Sequence, residues 1–268
     1  MQNLFRAFDD KLKLLNSWGN IFFYMTKLIS MILAILGSVL VGGESGLENK
    51  LENALKQELG ERVKKVEVQV HQNPGSFILK GKIASIDFIF DDLYVKPVLM
   101  DEVTFNVKDV RVDILKSALT GDAKVKRVGD ISYSFTIKEN QLAKALENET
   151  KAISDANVKI AGGELILSGK YRLGFLAIPF SVAGVPGFEE NRRLVYKITE
   201  VRFVGMKLPK RIDTLLEEEI NPVFDIEEFY EKKSDEWNLN EEMLGRELKL
   251  TVTSISADKG RIVVTGTV

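Results

Sequence analysis

The chain has 268 residues, of which 45% are hydrophobic and 28% are charged, and its net charge is −2. This is the composition of a globular protein with one large domain or two small ones. Because the chain has no cysteine, disulfides, thiolate catalysis and cysteine-based zinc or iron–sulfur sites are excluded. It has no basic excess or stripe, so no nucleic-acid partner is expected.

The first predicted element is the apolar run MTKLISMILAILGSVLVGG at residues 25–43. Within it, Leu28–Val41 is uncharged and has the length of the apolar core of a signal peptide, with small residues before a candidate cleavage site at Glu44. Residues 21–41 are alternatively long enough to anchor the chain in a membrane, with Lys27 reaching the interface. A buried core helix is a third interpretation.

Basic residues precede this run and acidic residues follow it, so its N-terminal side is expected to stay in the cytoplasm. We therefore expect residues 1–43 to be a cytoplasmic extension plus a signal peptide or signal anchor. Residues 44–268 are expected to form an extracytoplasmic domain, either secreted or anchored to the cytoplasmic membrane by residues 21–43. Met25 is a candidate start of translation.

A helix is predicted next, at residues 46–60, with Gly60 as its stop. Its leucines recur every four residues and share one narrow face, which indicates that this face rests on a larger element. These residues are Leu47, Leu51, Leu55 and Leu59.

Three long strands are predicted after this helix, within residues 79–90, 103–114 and 194–203. In each of them the apolar alternation slips by one residue and then continues. A slip that keeps the apolar face is typical of a β-bulge in a strongly twisted sheet. A turn between two short strands is the alternative.

Residues 131–137 alternate apolar and hydroxyl side chains, as in a sheet that is solvated on one face. Further helices are predicted at 139–150 and 209–219, and residues 226–268 are expected to form a peripheral excursion and a C-terminal hairpin. The predicted class is α+β: a long, strongly curved antiparallel sheet with a few helices against its apolar face, forming an elongated groove.

An internal echo links three segments of the form Gly-x-three apolars-x-Gly. They are GSFILKG at 75–81, GELILSG at 163–169 and GRIVVTG at 260–266. A hairpin unit used three times explains the echo, and a general likeness among Gly-bounded hairpins explains it equally well.

A second uncharged run, LGFLAIPFSVAGVPGF, occupies residues 173–188. Both of its strand faces are apolar or nearly so, which is unusual for a strand at a solvated surface. Burial on both sides, the lining of a cavity and contact with a membrane all fit this pattern. Pro179 favours an edge or bulge position.

Catalytic and metal-binding motifs are missing from the sequence. The single histidine, His71, is interpreted as an ordinary residue at a strand end. We therefore predict no enzyme activity, no catalytic or metal-ligating residue and no cofactor. An envelope hydrolase is an alternative that would require His71 or a carboxylate cluster.

A curved sheet with an apolar inner face and short helices predicts a groove that suits acyl chains. Each buried methylene contributes about 0.8 kcal/mol, so such a groove needs no polar constellation. Packed core is the alternative for each residue, and an envelope scaffold or protein-interaction module with a self-filled core is the alternative function. The predicted lipid-lining residues are Phe88, Phe90, Phe105, Tyr133, Phe135, Phe175, Ile178 and Phe180.

A family resemblance rests on the apolar run at 25–43, the leucine-striped helix, GSFILKGKIASIDFIFDDLYVKPVLMDEVTFNVKDVRVDI, ISYSFTIKENQLAKALEN and VRFVGMKLPKRIDTLLEEEINPVFDI. In this order the segments resemble the LmeA-like bacterial phospholipid-binding family, over about residues 46–225. The resemblance implies the curved shape of the tubular lipid-binding (BPI-like) proteins. It also implies phospholipid and a membrane surface as partners outside the cytoplasm, and it leaves any protein partner unknown.

Overall fold

The structure is a computed structural model of the chain. It describes residues 14–39, 46–72, 81–112, 125–149, 153–173, 176–190, 192–204, 206–207, 224–228 and 248–268, together with residues 210, 214, 217 and 221. The expected α+β class is confirmed, and the larger of two antiparallel sheets curls strongly into a half-barrel. The structure divides the strands between this sheet and a second, smaller one.

The strands are numbered in chain order. They are β1 (Lys65–His71), β2 (Lys82–Val95), β3 (Val98–Val112), β4 (Val125–Arg127), β5 (Ile131–Lys138), β6 (Ile153–Ala161), β7 (Glu164–Leu173), β8 (Leu176–Glu189), β9 (Arg193–Phe203), β10 (Met206–Lys207), β11 (Phe224–Asp225), β12 (Thr251–Asp258) and β13 (Arg261–Thr267). The larger sheet has the order β1-β2-β3-β5-β13-β12, with β4 paired to β3. The smaller sheet has the order β10-β9-β8-β7-β6, with β11 paired to β9.

The predicted C-terminal hairpin is present as β12–β13, and it belongs to the body of the larger sheet. Strand β13 pairs with β5 from Arg261 to Thr267. Its apolar residues continue the inner face of β5, so Ile262 is only 1% exposed and Val264 is fully buried. The acidic excursion predicted before this hairpin lies largely outside the described residues.

The phase slip in β9 is a β-bulge, as predicted. Ala183 of β8 pairs with Glu200, whereas the next residue, Gly184, pairs with Ile198. Thr199 is therefore an extra residue in β9, and it lets the strand keep its apolar face while it bends.

The slips in β2 and β3 also lie within continuous strands, but they do not change the register between these two strands. Ile83 pairs with Val110 and Ser85 pairs with Lys108, because both strands slip at the same level. Asp109, in the middle of the slip in β3, has a φ of 55°, a left-handed conformation that aspartate tolerates better than most residues. The predicted bulge in a single strand is thus replaced by a kink in each of β2 and β3 at the same level, and together the two kinks curve the sheet.

The structure describes helices α1 (Leu14–Val39), α2 (Leu47–Leu59) and α3 (Glu139–Glu149) along their lengths. Helices α2 and α3 confirm the predictions for 46–60 and 139–150, and the four striped leucines of α2 are buried. In the predicted helix at 209–219, the described residues Lys210, Thr214 and Glu217 are helical.

Helix α2 caps the free edge of β1 with its carboxylates. Glu52 Oε1 accepts a hydrogen bond from the Val68 N–H at 2.9 Å, and Glu48 Oε1 accepts one from the Val70 N–H at 2.8 Å. The two acceptors are four residues apart on the helix, and the two donors are two residues apart on the strand. The spacing of about one helical turn therefore equals the two-residue repeat of the strand in length. Edge N–H groups are thereby closed to other strands.

The same arrangement recurs in the smaller sheet. Glu139 and Glu147 of α3 accept hydrogen bonds from N–H groups of β6, and Glu217 and Asn221 accept from N–H groups of β9. We refer to the edges of β1 and β6, which glutamates of α2 and α3 cap, as the carboxylate-capped edges. They hold each helix against a strand edge and leave the apolar faces of the sheets free to pack.

The two sheets meet at the turns of the β6–β7 and β12–β13 hairpins. The Gly163 N–H donates to the Ala257 carbonyl at 3.0 Å, and the Gly260 N–H donates to the Ile160 carbonyl at 3.1 Å. The N–H of each turn glycine therefore donates to the carbonyl that lies three residues before the glycine of the other turn. The two hydrogen bonds are related by a local two-fold symmetry. Two of the three echoed segments are hairpin strands joined in this way, and most of the segment at 75–81 lies outside the described residues.

Candidate functional site

Strand register brings five of the predicted lining residues together on the inner face of the larger sheet. One row across β2, β3 and β5 contains Phe88, Phe105 and Tyr133, and the next row contains Phe90 and Phe135. All five are at most 3% exposed, and the rings of Phe90 and Phe105 meet edge-on with centroids 6.2 Å apart. The sequence pattern thus identified one continuous apolar surface, which we call the inner face.

Helix α1 lies on this inner face. The rings of Trp18 and Phe22 approach Phe135 with centroid distances of 6.3 Å and 6.4 Å. Phe22 also stacks on Phe224 of the smaller sheet at 5.2 Å. Toward the other end of the helix, a Cβ placed on Gly37 would lie 3.9 Å from a methyl group of Val125 in β4. Helix α1 therefore runs lengthwise along the half-barrel.

The buried stripe of α1 fills the space that the curved sheet encloses. Eight of its side chains are at most 2% exposed. They are Ile21, Phe22, Met25, Leu28, Ile29, Ile32, Leu33 and Leu36. Trp18–Val39 is also long and apolar enough to cross a membrane, by length and composition alone. The length and composition of this segment thus suit a lipid phase as well as the interior of this protein.

The length of the covered surface follows from the rise of the helix. From Trp18 to Gly37 the axis advances by about 28 Å at 1.5 Å per residue. One leaflet of a membrane occupies about 15 Å, half of a hydrocarbon core of about 30 Å. The surface under α1 is therefore long enough to receive acyl chains lengthwise.

The interior carries almost no polar groups. Among the described residues, the buried polar ones are Thr26, Thr136 and Gln141, and none of them is ionisable. The Thr26 hydroxyl donates to the Phe22 carbonyl within α1, and Gln141 Oε1 accepts from the Lys138 N–H. These polar atoms bond to the protein's own backbone, so the surroundings of α1 are largely hydrocarbon.

Tyr133 has a structural role as well as its place on the inner face. Its ring crosses Gly266 of β13, and its hydroxyl donates to the Thr251 carbonyl of β12 at 3.3 Å. Tyr196 makes the corresponding contact in the smaller sheet, where its hydroxyl donates to the Leu165 carbonyl at 2.6 Å. Burial raises the pKa of Tyr196. In each sheet one tyrosine thus ties three neighbouring strands together.

Two of the three remaining predicted lining residues, Ile178 and Phe180, belong to the smaller sheet, so the register does not join them to the first five. Phe180 is 5% exposed and packs over Gly169 of β7, and Ile178 is half-buried. Phe175 lies outside the described residues. Pro179 lies in the part of β8 that extends beyond its ladder with β9, whose pairing starts at Phe180, so the segment has edge character as predicted.

His71 lies at the end of β1, on the solvated side of the larger sheet. Its Nε2 is 2.7 Å from Asp87 Oδ2, and the side chain is 52% exposed. Asn106 Nδ2 donates to the other oxygen of the same carboxylate. The part of the chain that the structure describes holds no group of three or more His, Asp or Glu side chains arranged for a metal ion.

Sequence reasoning missed the partners of Phe135, which are Trp18 and Phe22 of α1. A signal for them was present, because Asn20, Lys27 and Ala34 recur every seven residues and are three of the four exposed positions described in the helix, the fourth being Ser38. A seven-residue repeat marks one face over two helical turns. Such a stripe is typical of a helix with one solvated side.

A family model described as LmeA-like phospholipid-binding matches residues 39–267, which is most of the chain. Searches of curated proteins and of solved structures give no significant match. The matched range contains the two sheets, α2 and α3, and it begins at the last residue of α1.

Proposed function

Because the chain belongs to the LmeA-like phospholipid-binding family, we propose that it binds phospholipid with the acyl chains on the inner face of the larger sheet. In the described structure, α1 occupies the place of those chains. The observation that carries this proposal is the contact of Trp18 and Phe22 with Phe135, a residue that the apolar pattern alone assigned to a lipid groove.

The energetics support an exchange between α1 and lipid. The eight buried side chains of α1 contribute roughly 12–24 kcal/mol, at about 1.5–3 kcal/mol each. A lipid with about 30 methylenes contributes about 24 kcal/mol at about 0.8 kcal/mol per methylene. The two occupants therefore bury comparable apolar surface, and each of them finds an equivalent environment in a bilayer when it leaves the protein.

The proposed role is that of a non-enzymatic carrier outside the cytoplasm. No Asp, Glu, Lys, Arg or His side chain is buried among the described residues, which supports binding without chemistry. The apolar segment that forms α1, with basic residues before it, supports export or anchoring of residues 44–268. In either case the inner face opens when α1 enters the membrane or is removed.

A second candidate function is an envelope scaffold whose core is filled permanently by α1. The close packing of α1 on the inner face favours it, because eight fully covered side chains make a complete core. The two functions differ in one property, which is whether α1 leaves the inner face when phospholipid is offered.

A reversible disulfide tests that property in the full chain. The pair Gly37→Cys and Val125→Cys places thiols on facing residues of α1 and β4, where a Cβ added at residue 37 would lie 3.9 Å from a methyl carbon of Val125. Thiol titration of the oxidised protein establishes that the disulfide has formed. The natural chain has no cysteine, so the new pair has no competitor. The oxidised and reduced proteins are incubated with phospholipid vesicles and re-isolated, and the phospholipid retained per protein is then measured.

We expect phospholipid in the reduced protein and little in the oxidised one. The matched control is Ser254→Cys with Thr265→Cys, two residues paired across β12 and β13 with hydroxyl oxygens 2.8 Å apart. This staple leaves α1 free, so the control retains phospholipid in both redox states. Equal retention by the oxidised and reduced Gly37–Val125 pair refutes the proposed site. Failure of every variant to take up phospholipid favours the scaffold.

A further inference from the structure

One end of the smaller sheet exposes apolar side chains next to two adjacent turns. Leu176 begins β8 and is 51% exposed, and Val204 follows β9 and is 63% exposed. The Val204 N–H donates to the Pro179 carbonyl at 2.9 Å, so the start of β8 and the turn after β9 are neighbours. We call Leu176, Ala177, Pro179 and Val204 the apolar tip, because all four are exposed.

Val204 is an unusual residue for its position. Its φ is 51°, a left-handed conformation in which glycine, asparagine and aspartate are common and β-branched residues are outliers. A turn at a solvated surface gains nothing from a valine there. An exposed apolar side chain in this conformation indicates a contact outside the fold.

Basic residues surround the apolar tip on the outer face of the sheet. By strand register, Arg172 lies beside Ala177, Lys170 lies beside Pro179, and Lys207 lies beside Arg202. Two acidic residues are paired with them: Asp155 binds Lys170, and Glu200 binds both Arg202 and Lys207. Four positive and two negative charges leave the tip at +2, on a chain whose net charge is −2.

The tip also ends the apolar inner side of the smaller sheet. Along β8, exposure on that side rises from 5% at Phe180 through the half-buried Ile178 to 51% at Leu176. A continuous apolar track therefore leads from the protein interior to the surface. Apolar side chains set among basic ones are suited to the interface of a bilayer, where the former enter the acyl boundary and the latter meet anionic headgroups.

We propose that the apolar tip is the surface by which this protein docks on a bilayer that contains anionic phospholipid. The inference rests on the proposed function, because docking there places the end of the β8 track at the source of the lipid. Docking itself does not require a loaded inner face, so the two proposals are tested by different measurements.

The test measures binding of the full chain to vesicles of phosphatidylcholine with and without phosphatidylglycerol, by flotation. Leu176→Asp and Val204→Asp should each weaken binding to the mixed vesicles at least ten-fold. Arg172→Glu should weaken it by at least about five-fold and reduce its salt dependence. Aspartate tolerates the left-handed φ at position 204 better than valine does, so that variant is expected to fold.

The matched control is Val185→Asp. Val185 lies on the same strand as Leu176, toward its other end, and is 40% exposed. Its substitution should leave vesicle binding unchanged. Equal binding by wild type, Leu176→Asp and Val204→Asp overturns the proposal, because α1 or another surface then mediates docking. An equal loss in Val185→Asp also overturns it. Phospholipid retained per protein is measured in parallel, so failure to dock is distinguished from failure to load.

Discussion

A single charge on the buried stripe of α1 should open the inner face without altering the sheet. Leu33 is 1% exposed. In Leu33→Lys the apolar burial of this side chain, about 1.5–3 kcal/mol, is lost, and an ammonium group has no partner in an apolar interior. Docking of α1 should therefore weaken by at least about 3 kcal/mol, which corresponds to more than about 100-fold in the docked-to-undocked ratio.

The assay compares phospholipid retention and amide hydrogen exchange in full-length wild type, Leu33→Lys and Ala34→Lys. Ala34 is the next residue, about 100° around the helix, and it is exposed, so its substitution adds the same charge without entering the contact. We expect Leu33→Lys to retain more phospholipid than wild type and to exchange α1 amides faster. Ala34→Lys should match wild type in both measurements.

The result that refutes this reasoning is specific. If the α1 amides of Leu33→Lys exchange faster and the protein retains no more phospholipid than wild type, α1 does not stand in the place of acyl chains. Near-ultraviolet circular dichroism confirms that the rest of the variant is folded.

Three further predictions concern stability. Replacement of the capping carboxylate in Glu52→Gln should lower the free energy of unfolding by about 1–2 kcal/mol in urea titrations, whereas Glu58→Gln, on the exposed side of the same helix, should change it little. Gly266→Ala should lower the free energy of unfolding by about 3 kcal/mol, because a Cβ at this position overlaps a neighbouring carbonyl and a tyrosine ring. Gly187→Ala, whose added Cβ makes an ordinary contact at 3.7 Å, should change the free energy of unfolding by no more than about 0.5 kcal/mol. The raised pKa of Tyr196 means that the folded state favours the protonated phenol. This preference contributes fully to the free energy of unfolding below about pH 10, and the contribution is lost as the pH rises above that value. Tyr196→Phe should therefore make stability fall less steeply at alkaline pH.

The elements predicted well from sequence are those whose pattern has one interpretation. The leucine stripe of residues 46–60 and the alternation of residues 131–137 each fit a single period, and the structure contains α2 and β5 there. Alternation within each of the two strands placed Phe88 and Phe135 on apolar faces, and the strand register shows that both belong to the inner face.

The predictions that needed correction depended on information that the spacing of apolar residues along the chain does not contain. An alternating pattern assigns Phe135 and Phe180 to apolar faces, but it does not say which strands pair, so their separation into two sheets was not predictable. The run that forms α1 is apolar enough for a membrane and for a core. Its place on the inner face depends on contacts with Phe135 and Phe224, which are distant in sequence.

The carboxylate-capped edges determine how the protein can self-associate after α1 is withdrawn. An open half-barrel offers other molecules an apolar surface, but the N–H groups of β1 and β6 are already bonded to glutamates of α2 and α3. Edge-to-edge stacking, the route to fibrils, is therefore blocked at these strands. Face-to-face contact between two such molecules is isologous, so it closes as a two-fold dimer and stops growing. Withdrawal of α1 therefore exposes an apolar face while the capped edges stay closed to further strands.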